Sequence, residues 1–403
     1  MIKEGLKKWT ILYYANGNNE YEPEMYKSLM DIKEKSSNNE IDVLIEIGRV
    51  ERKIPEIIRS SEKFDDKHEP WTGVRRYHIF NGEAELLESL GNRNMAHPAN
   101  LYNFIKWGVE KCPAKHYMLI LGGHGAAFVG TLTDYSQDKP YIMGTVEMCK
   151  AINMIYKDLG CSIDILLLDI CYMNLVEIMY EFGKNNKNTV QNIVTYIGTG
   201  PVSGLPYDKI VDIINKNNSD NVNSILKDFI DKMEYDLIAV EINNSKLKAI
   251  KRKSSELAYT YLASNKETEF TPLKLLTDLD PKYPWHQKLL DFQGSISLII
   301  SYYKNRYNVN SNLLNIIFTP IDDLMGIYYK LSFAKGNYWT NLLCCKKLGE
   351  LINFNIKESF QSTIIRPNGL RALIQTMNPT EDYESISKIY NKIIEHKNWN
   401  DLK

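Results

Sequence analysis

The first 245 residues alternate between two hydrophobic patterns. Short, largely apolar runs lie at 9–15, 42–47, 117–121, 163–168, 192–197 and 236–241, each of strand length and rich in Ile, Val, Leu and Tyr, and 75–80 is a further strand-length run. Between them, segments 22–34, 99–111, 145–158, 174–183, 206–216 and 221–233 have the length and period of amphipathic helices. A strand without polar alternation is buried on both faces, and strands separated by helices pair in parallel. The pattern therefore predicts a mostly parallel sheet with helices on both sides, one α/β domain over residues 1–245. Beyond 245, helix-length segments dominate at 245–264, 286–304 and 337–353, interrupted by a proline-bearing stretch from Thr271 to Pro284. Segment 363–375 reads as a late strand, and 246–403 as a smaller, mainly helical C-terminal domain without internal repeats.

Composition changes this picture little. Hydrophobic residues at 44% and charged residues at 25% are the balance of an ordinary soluble chain. A formal net charge of -1 gives no reason to expect nucleic acid or an anionic membrane as a partner. No stretch approaches the ~18 apolar residues of a membrane span. Six sparse cysteines without a Cys-x-x-Cys pair argue against a zinc ribbon or a disulfide framework and fit a reducing compartment, so a cytoplasmic location is expected. Lys3, Lys7 and Lys8 before Trp9–Ala15 imitate a secretory leader. That run is short, holds Thr10 and two tyrosines, and passes into Asn16-Gly17-Asn18-Asn19 without a small-residue cleavage site, so it reads as the first core strand. There is no phosphate-loop Gly-Lys-Ser/Thr, and Gly198 to Gly204 does not have the spacing of a dinucleotide fingerprint. Lys251-Arg252-Lys253 reads as a solvated helix face, Lys184 to Asn188 as a solvated loop, and Cys344-Cys345 as helix packing.

The candidate chemistry lies where two strands end. In an open α/β sheet, ligands bind beyond the carboxyl ends of the strands. Strand 117–121 runs into Gly122-Gly123-His124-Gly125, and strand 163–168 into Asp169-Ile170-Cys171. If these strands are close, an imidazole and a thiol meet at the sheet's rim. Imidazole can take the thiol proton and later protonate a leaving amine. The amides of Gly125 and Cys171 are candidate oxyanion donors. Asp169, two residues before Cys171, would lie roughly 6–7 Å away if the strand stays extended, and would floor a pocket for a basic side chain. Each residue also has a plainer reading: His124 as a structural loop residue, Cys171 as small core packing, Asp169 as the cap of the next helix.

Longer motifs surround these positions. Segment 95–125, with Phe104-Ile105-Lys106-Trp107 before the apolar strand and His124-Gly125, resembles the clostripain-like cysteine peptidases. Asp169-Ile170-Cys171-Tyr172-Met173 through Glu177 is similar to that family's Asp-Ala-Cys-x-Met-x-x-x-Glu signature. Gly204-Leu205-Pro206-Tyr207-Asp208 is similar to its Gly-Trp-Pro-Tyr-Asp stretch, and the likeness runs in order over about residues 8–245. The resemblance implies a caspase-like α/β/α sandwich, a His124/Cys171 dyad, and cleavage of peptides or proteins after Arg or Lys, with Asp169 as the acidic specificity residue. It assigns the pocket wall to Gly198, Thr199 and Gly200, where the family usually has a Ser-Glu-Glu-like run. Some members need calcium, but this chain has no acidic loop of calcium-ligand spacing, so neither metal nor cofactor is expected. Many members are secreted; the strand-like start here points instead to an intracellular processing role, such as trimming a leader from a small encoded peptide. The alternatives are a catalytically silent, peptide-binding or scaffold relative and an amidase acting on a small molecule.

Members of the family are often cut between the catalytic His and Cys strands, after a basic residue. Here that linker spans 126–162. Its first basic residue, Lys139, precedes Pro140, which resists cleavage, and Lys150 and Lys157 fall in the helix at 145–158. The chain is therefore expected to remain uncut.

Overall fold

The computed structural model describes the chain apart from residues 1–5, 36–39, 65–68, 218–220, 265–271, 278, 307–312, 320–323, 345–347 and 353–358. Its strands are β1 (Lys7–Gly17), β2 (Ile41–Arg49), β3 (Gly73–Phe80), β4 (Glu83–Gly91), β5 (Ala114–Gly122), β6 (Thr131–Asp134), β7 (Tyr141–Met143), β8 (Ile163–Asp169), β9 (Val190–Tyr196), β10 (Leu237–Glu241), β11 (Ile300–Lys304) and β12 (Thr363–Ile364). The helices before residue 245 are α1 (Glu22–Lys35), α2 (Lys53–Ile58), α3 (Pro98–Lys111), α4 (Thr145–Leu159), α5 (Val176–Gly183), α6 (Tyr207–Lys216) and α7 (Val222–Lys232). After them come α8 (Asn244–Ser264), α9 (Pro272–Thr277), α10 (His286–Ser297), α11 (Met325–Tyr328), α12 (Tyr338–Cys344), α13 (Pro367–Met377) and α14 (Tyr383–His396).

Nine strands form one sheet in the order β11-β10-β9-β8-β5-β1-β2-β3-β4. The five from β9 to β2 are parallel, with antiparallel strands on either flank. Alternate residues of each central strand face opposite helical layers. Leu12, Leu119, Leu121, Leu166 and Leu168 pack with α3, α4, α5 and α8. Ile11, Tyr13, Met118, Ile120 and Leu167 pack with α1, α6 and α7. Fully burying one such side chain stabilises by about 1.5–3 kcal/mol, which explains why the central strands are mostly apolar. The result is the three-layer α/β arrangement the sequence pattern predicts, and the caspase-like sandwich the family resemblance implies.

The chain beyond residue 245 joins both sheets. β11 pairs with β10 at the sheet's edge, and β12 pairs with β7 in a three-stranded sheet β12-β7-β6. α13, α14 and Trp399 pack with α2, Tyr135 and Ile142 in a separate apolar cluster. Two predicted elements differ here. Segment 286–304 is not one helix: α10 stops at Ser297, and the alternating Ile300–Lys304 becomes β11. Segment 363–375 is strand only at Thr363–Ile364, because Pro367 sits in the first turn of α13, where its fixed φ suits a helix and its missing N–H costs nothing. Predicted helix 337–353 is helical over Tyr338–Cys344 and not over 348–352, while 345–347, including Cys345, and 353 lie outside the described residues. Among the described residues no helix is long and apolar enough to cross a membrane.

Candidate active site

The strand order reverses direction between β1 and β5: β2 lies to one side of β1, and β5, β8 and β9 follow on the other. Crevices form at such switch points, beyond the carboxyl ends of the strands. The register aligns Ala15 with Gly122 and Gly122 with Asp169. His124 and Cys171 each lie two residues past that aligned row, on adjacent strands. The loop leaving β1 brings Glu20 and Tyr21 to the same edge.

The chain turns sharply after Asp169. Tyr172, next to Cys171, has a φ of 61°, a left-handed conformation that costs energy for a residue with a side chain. Its N–H donates to the Gly198 carbonyl at 2.7 Å, which fixes the turn. Further hold comes from the region beyond β11. Glu177 Oε1 accepts from the Ile317 amide at 2.9 Å and the Tyr328 hydroxyl at 3.2 Å. Burial raises the Glu177 carboxyl to about 7, with these donors opposing the rise. The last position of the Asp-x-Cys signature is thus an anchor for the loop that carries the cysteine.

Cys171 is partly exposed, and the Gly200 amide donates to its Sγ at 3.4 Å. Burial raises the thiol, the Gly200 hydrogen bond lowers it, and the Asp169 charge raises it again. Gly125 packs so closely on this turn that a Cβ there would overlap the Cys171 carbonyl oxygen, which is why this position needs glycine. Among the described residues no acceptor takes the amide protons of Gly125 or Cys171.

Asp169 is buried and does not cap the following helix; α5 starts at Val176, and its N-cap position is Leu175, with no side-chain cap. Its Oδ1 accepts from the Tyr196 hydroxyl at 2.5 Å, and its Oδ2 from the Tyr207 hydroxyl at 2.5 Å and the Leu205 amide at 3.1 Å. Burial raises this carboxyl, and the three donors oppose the rise. Gly204, with a φ of 69°, passes close enough that a Cβ would come within 2.7 Å of Oδ2. The Gly-Leu-Pro-Tyr motif is therefore a clamp on Asp169, and Leu205 contributes its backbone there.

A cleft of about 280 Å³ opens over these groups and is lined by Tyr21, Asp169, Cys171, Gly200, Val202 and Gly204 among others. Of the three expected wall residues, Gly200 lines the cleft, Gly198 holds the Tyr172 amide from behind, and Thr199 is exposed beside it. His124 is buried under Tyr21, with ring centroids 4.4 Å apart. Among the described residues no hydrogen bond joins its ring to Cys171. Its Nε2 instead lies 2.8 Å from Glu20 Oε1. The sequence did not single out Glu20 or Tyr196, and it gave Tyr207 no role beyond its place in the Gly-Leu-Pro-Tyr-Asp stretch.

The family model for the clostripain family matches residues 13–401, nearly the whole chain. The chain belongs to the clostripain family. It is accordingly a cysteine-type peptidase acting on peptides or proteins. A clostripain-family zymogen described as inactive, from Parabacteroides distasonis, superposes with a TM-score of 0.55 at 16% identity, over 83% of this chain and 98% of that one. A secreted cysteine protease of the family from Bacteroides thetaiotaomicron, bound to an irreversible peptide inhibitor, superposes with a TM-score of 0.53 at 15% identity, over 74% of this chain and 84% of that one. A further secreted protease from that organism gives a TM-score of 0.56 at 12% identity, over 81% and 98%. At these identities the structures share the clostripain fold. No curated protein matches the chain.

One other cluster has ligand-like composition. Polar atoms of Asp42, His78 and Cys112 lie within 4.8 Å of one another, near the starts of β1 and β2 and away from the clostripain-type cleft. Lys7 Nζ and His78 Nε2 both lie 2.8 Å from Asp42 Oδ1, so an ammonium already occupies the space beside that carboxylate.

Proposed function

We propose that this peptidase cleaves after Arg or Lys, with Cys171 as nucleophile, His124 as general base and acid, and Asp169 as the receptor for the basic side chain. The observation that carries this reading is the buried Asp169 carboxylate, held by three donors on the wall of the cleft that Cys171 also lines. A planar guanidinium pairs with a carboxylate through two N–H groups, so Arg is the better fit and Lys the weaker. With the basic side chain seated, the scissile carbonyl lies over Cys171. The thiol gives its proton to the imidazole and attacks the carbonyl carbon, and the Gly125 and Cys171 amides stabilise the oxyanion. The imidazolium then protonates the leaving amine, and water hydrolyses the thioester. Contacts between base and nucleophile are commonly open without substrate and close in the complex. An intracellular processing role is proposed because the six cysteines of the sequence are sparse and form no Cys-x-x-Cys pair, which suits a reducing compartment.

The test is a panel of fluorogenic peptides with Arg, Lys, Asp or Leu before the cleaved bond, assayed with the wild type and with Cys171→Ala. Cleavage confined to Arg and Lys and lost in the variant is expected. Cleavage that survives in Cys171→Ala, or that favours Leu or Asp, would overturn the assignment.

A further inference from the structure

Glu20 leaves β1 in the run Asn16-Gly17-Asn18-Asn19-Glu20-Tyr21. The loop is bonded into the protein on several sides. Asn16 Nδ2 and Asn19 Nδ2 donate to the Thr133 carbonyl at 2.8 and 3.0 Å, and Asn18 Nδ2 donates to Asp134 at 2.7 Å. Arg59 Nη1 donates to the Glu20 carbonyl at 2.9 Å, while its guanidinium is engaged by Glu24 and Glu62. The asparagines and Glu20 are all 0% exposed. The Glu20 backbone is therefore fixed, and its side chain has no route to water.

The carboxylate itself is left without a directed hydrogen bond at either oxygen, and the same is true of His124 Nε2 facing it at 2.8 Å. A buried carboxylate without a partner is costly, and an apolar residue or a glutamine would fill the space at lower cost. The other side of that close contact is the ring assigned above as the base. A carboxylate accepts but cannot donate, so it favours the imidazole tautomer with the proton on Nε2. That leaves the Nδ1 lone pair as the one able to take a proton from the thiol. It also sets a negative charge against the ring at the moment the ring becomes positive. The Tyr21 ring, tilted against the imidazole at 4.4 Å, limits its rotation away from this alignment.

We infer that Glu20 is a positioning residue for His124, fixing the ring's tautomer and orientation and stabilising the imidazolium during catalysis. The inference rests on the reading of His124 as the base, and one experiment separates the two. The kcat and KM of wild type, Glu20→Gln and Glu20→Asp are measured on an Arg reporter. The His124 ring nitrogens are observed by 15N NMR in the otherwise inert Cys171→Ala protein, with and without Glu20→Gln. The expected result is a fall in kcat of about 30-fold or more for Glu20→Gln with KM within about threefold, and partial recovery in Glu20→Asp. The NMR readout should show an Nε2-protonated ring with Glu20 and a mixture of tautomers with Gln. If wild type shows no Cys171-dependent cleavage, the functional reading fails, and the NMR arm still decides the Glu20–His124 link. If wild type cleaves and Glu20→Gln keeps its kcat, the inference is overturned. A wild-type ring protonated on Nδ1 overturns it as well, even if Glu20→Gln does not fold.

Discussion

Replacing Asp169 by Asn removes the charge at the base of the cleft and keeps its shape. Alanine is the wrong probe, because it would strand the hydroxyls of Tyr196 and Tyr207 and the amide of Leu205, at about 1–3 kcal/mol for each donor left buried and unpaired. In Asp169→Asn, an amide oxygen at the Oδ2 position keeps the Tyr207 and Leu205 donors. The amide nitrogen then faces the Tyr196 hydroxyl, whose oxygen can accept. The loss of stability should stay within about 1–3 kcal/mol, because only the Tyr196 O–H loses its acceptor and burial already works against the carboxylate charge. A substrate guanidinium, by contrast, loses a charged partner in a desolvated site, a deficit of about 2–4 kcal/mol, or roughly 30- to 1,000-fold in kcat/KM. The assay uses two fluorogenic peptides, one with Arg and one with its uncharged isostere citrulline before the cleaved bond. The Arg peptide should fall by that factor, and the citrulline peptide should change less than about threefold. Equal losses on both peptides would refute the reasoning, since the carboxylate would then act on the fold or the nucleophile and not on substrate charge. A melting temperature lowered by many degrees would do the same.

Three more outcomes follow from the same geometry. The Glu177 carboxyl is raised from its usual 4.5 to about 7, so folding favours its protonated form, and wild type loses stability as pH rises through that window. Glu177→Gln cannot ionise, so urea unfolding at pH 5 and pH 8 should show the variant gaining on wild type with pH by up to about 3 kcal/mol; parallel curves would refute this. Because burial and the Asp169 charge raise the Cys171 thiol above the ordinary 9.0, iodoacetamide should modify it only at a pH above the range for an exposed cysteine, and faster in Asp169→Asn at equal pH. Slower modification in that variant, mapped at Cys171 by mass spectrometry, would contradict the assignment of the Asp169 contribution. The chain should also stay uncut between His124 and Cys171. Lys150 and Lys157 lie within α4, and the hairpin carrying Lys139 is tied down by Asp401, by the Trp399 indole donating to the Gln137 carbonyl, and by Ile365 donating to the Pro140 carbonyl. A fragment pair present in wild type and missing from Cys171→Ala on a denaturing gel would show otherwise.

The central sheet was legible because its strands are buried on both faces and so carry apolar residues on both. β4 was not, since Glu83–Gly91 is a mostly solvated edge strand whose charged residues suit an edge and hide its period. The β6–β7 hairpin has strands of four and three residues, too short to carry a pattern. His124, Cys171 and Asp169 could be found because each follows an unmistakable strand. Tyr196 read as core strand and Tyr207 only as part of the Gly-Leu-Pro-Tyr-Asp stretch, because their hydroxyls turn toward Asp169 only in three dimensions. Glu20 was hidden by topology. Nothing in the sequence says that β1 lies between β2 and β5, yet a switch point beside the first strand would have directed attention to the residues just after Gly17.

The central claim, a basic-residue peptidase acting through Cys171, is tested most directly by covalent capture. The purified protein is treated with two peptide chloromethyl ketones, one ending in Arg and one in Asp, and the intact mass and the modified peptide are determined. The account predicts one stoichiometric adduct with the Arg reagent, located at Cys171, and none with the Asp reagent at the same concentration. An adduct on a different residue, or equal labelling by both reagents, would contradict it.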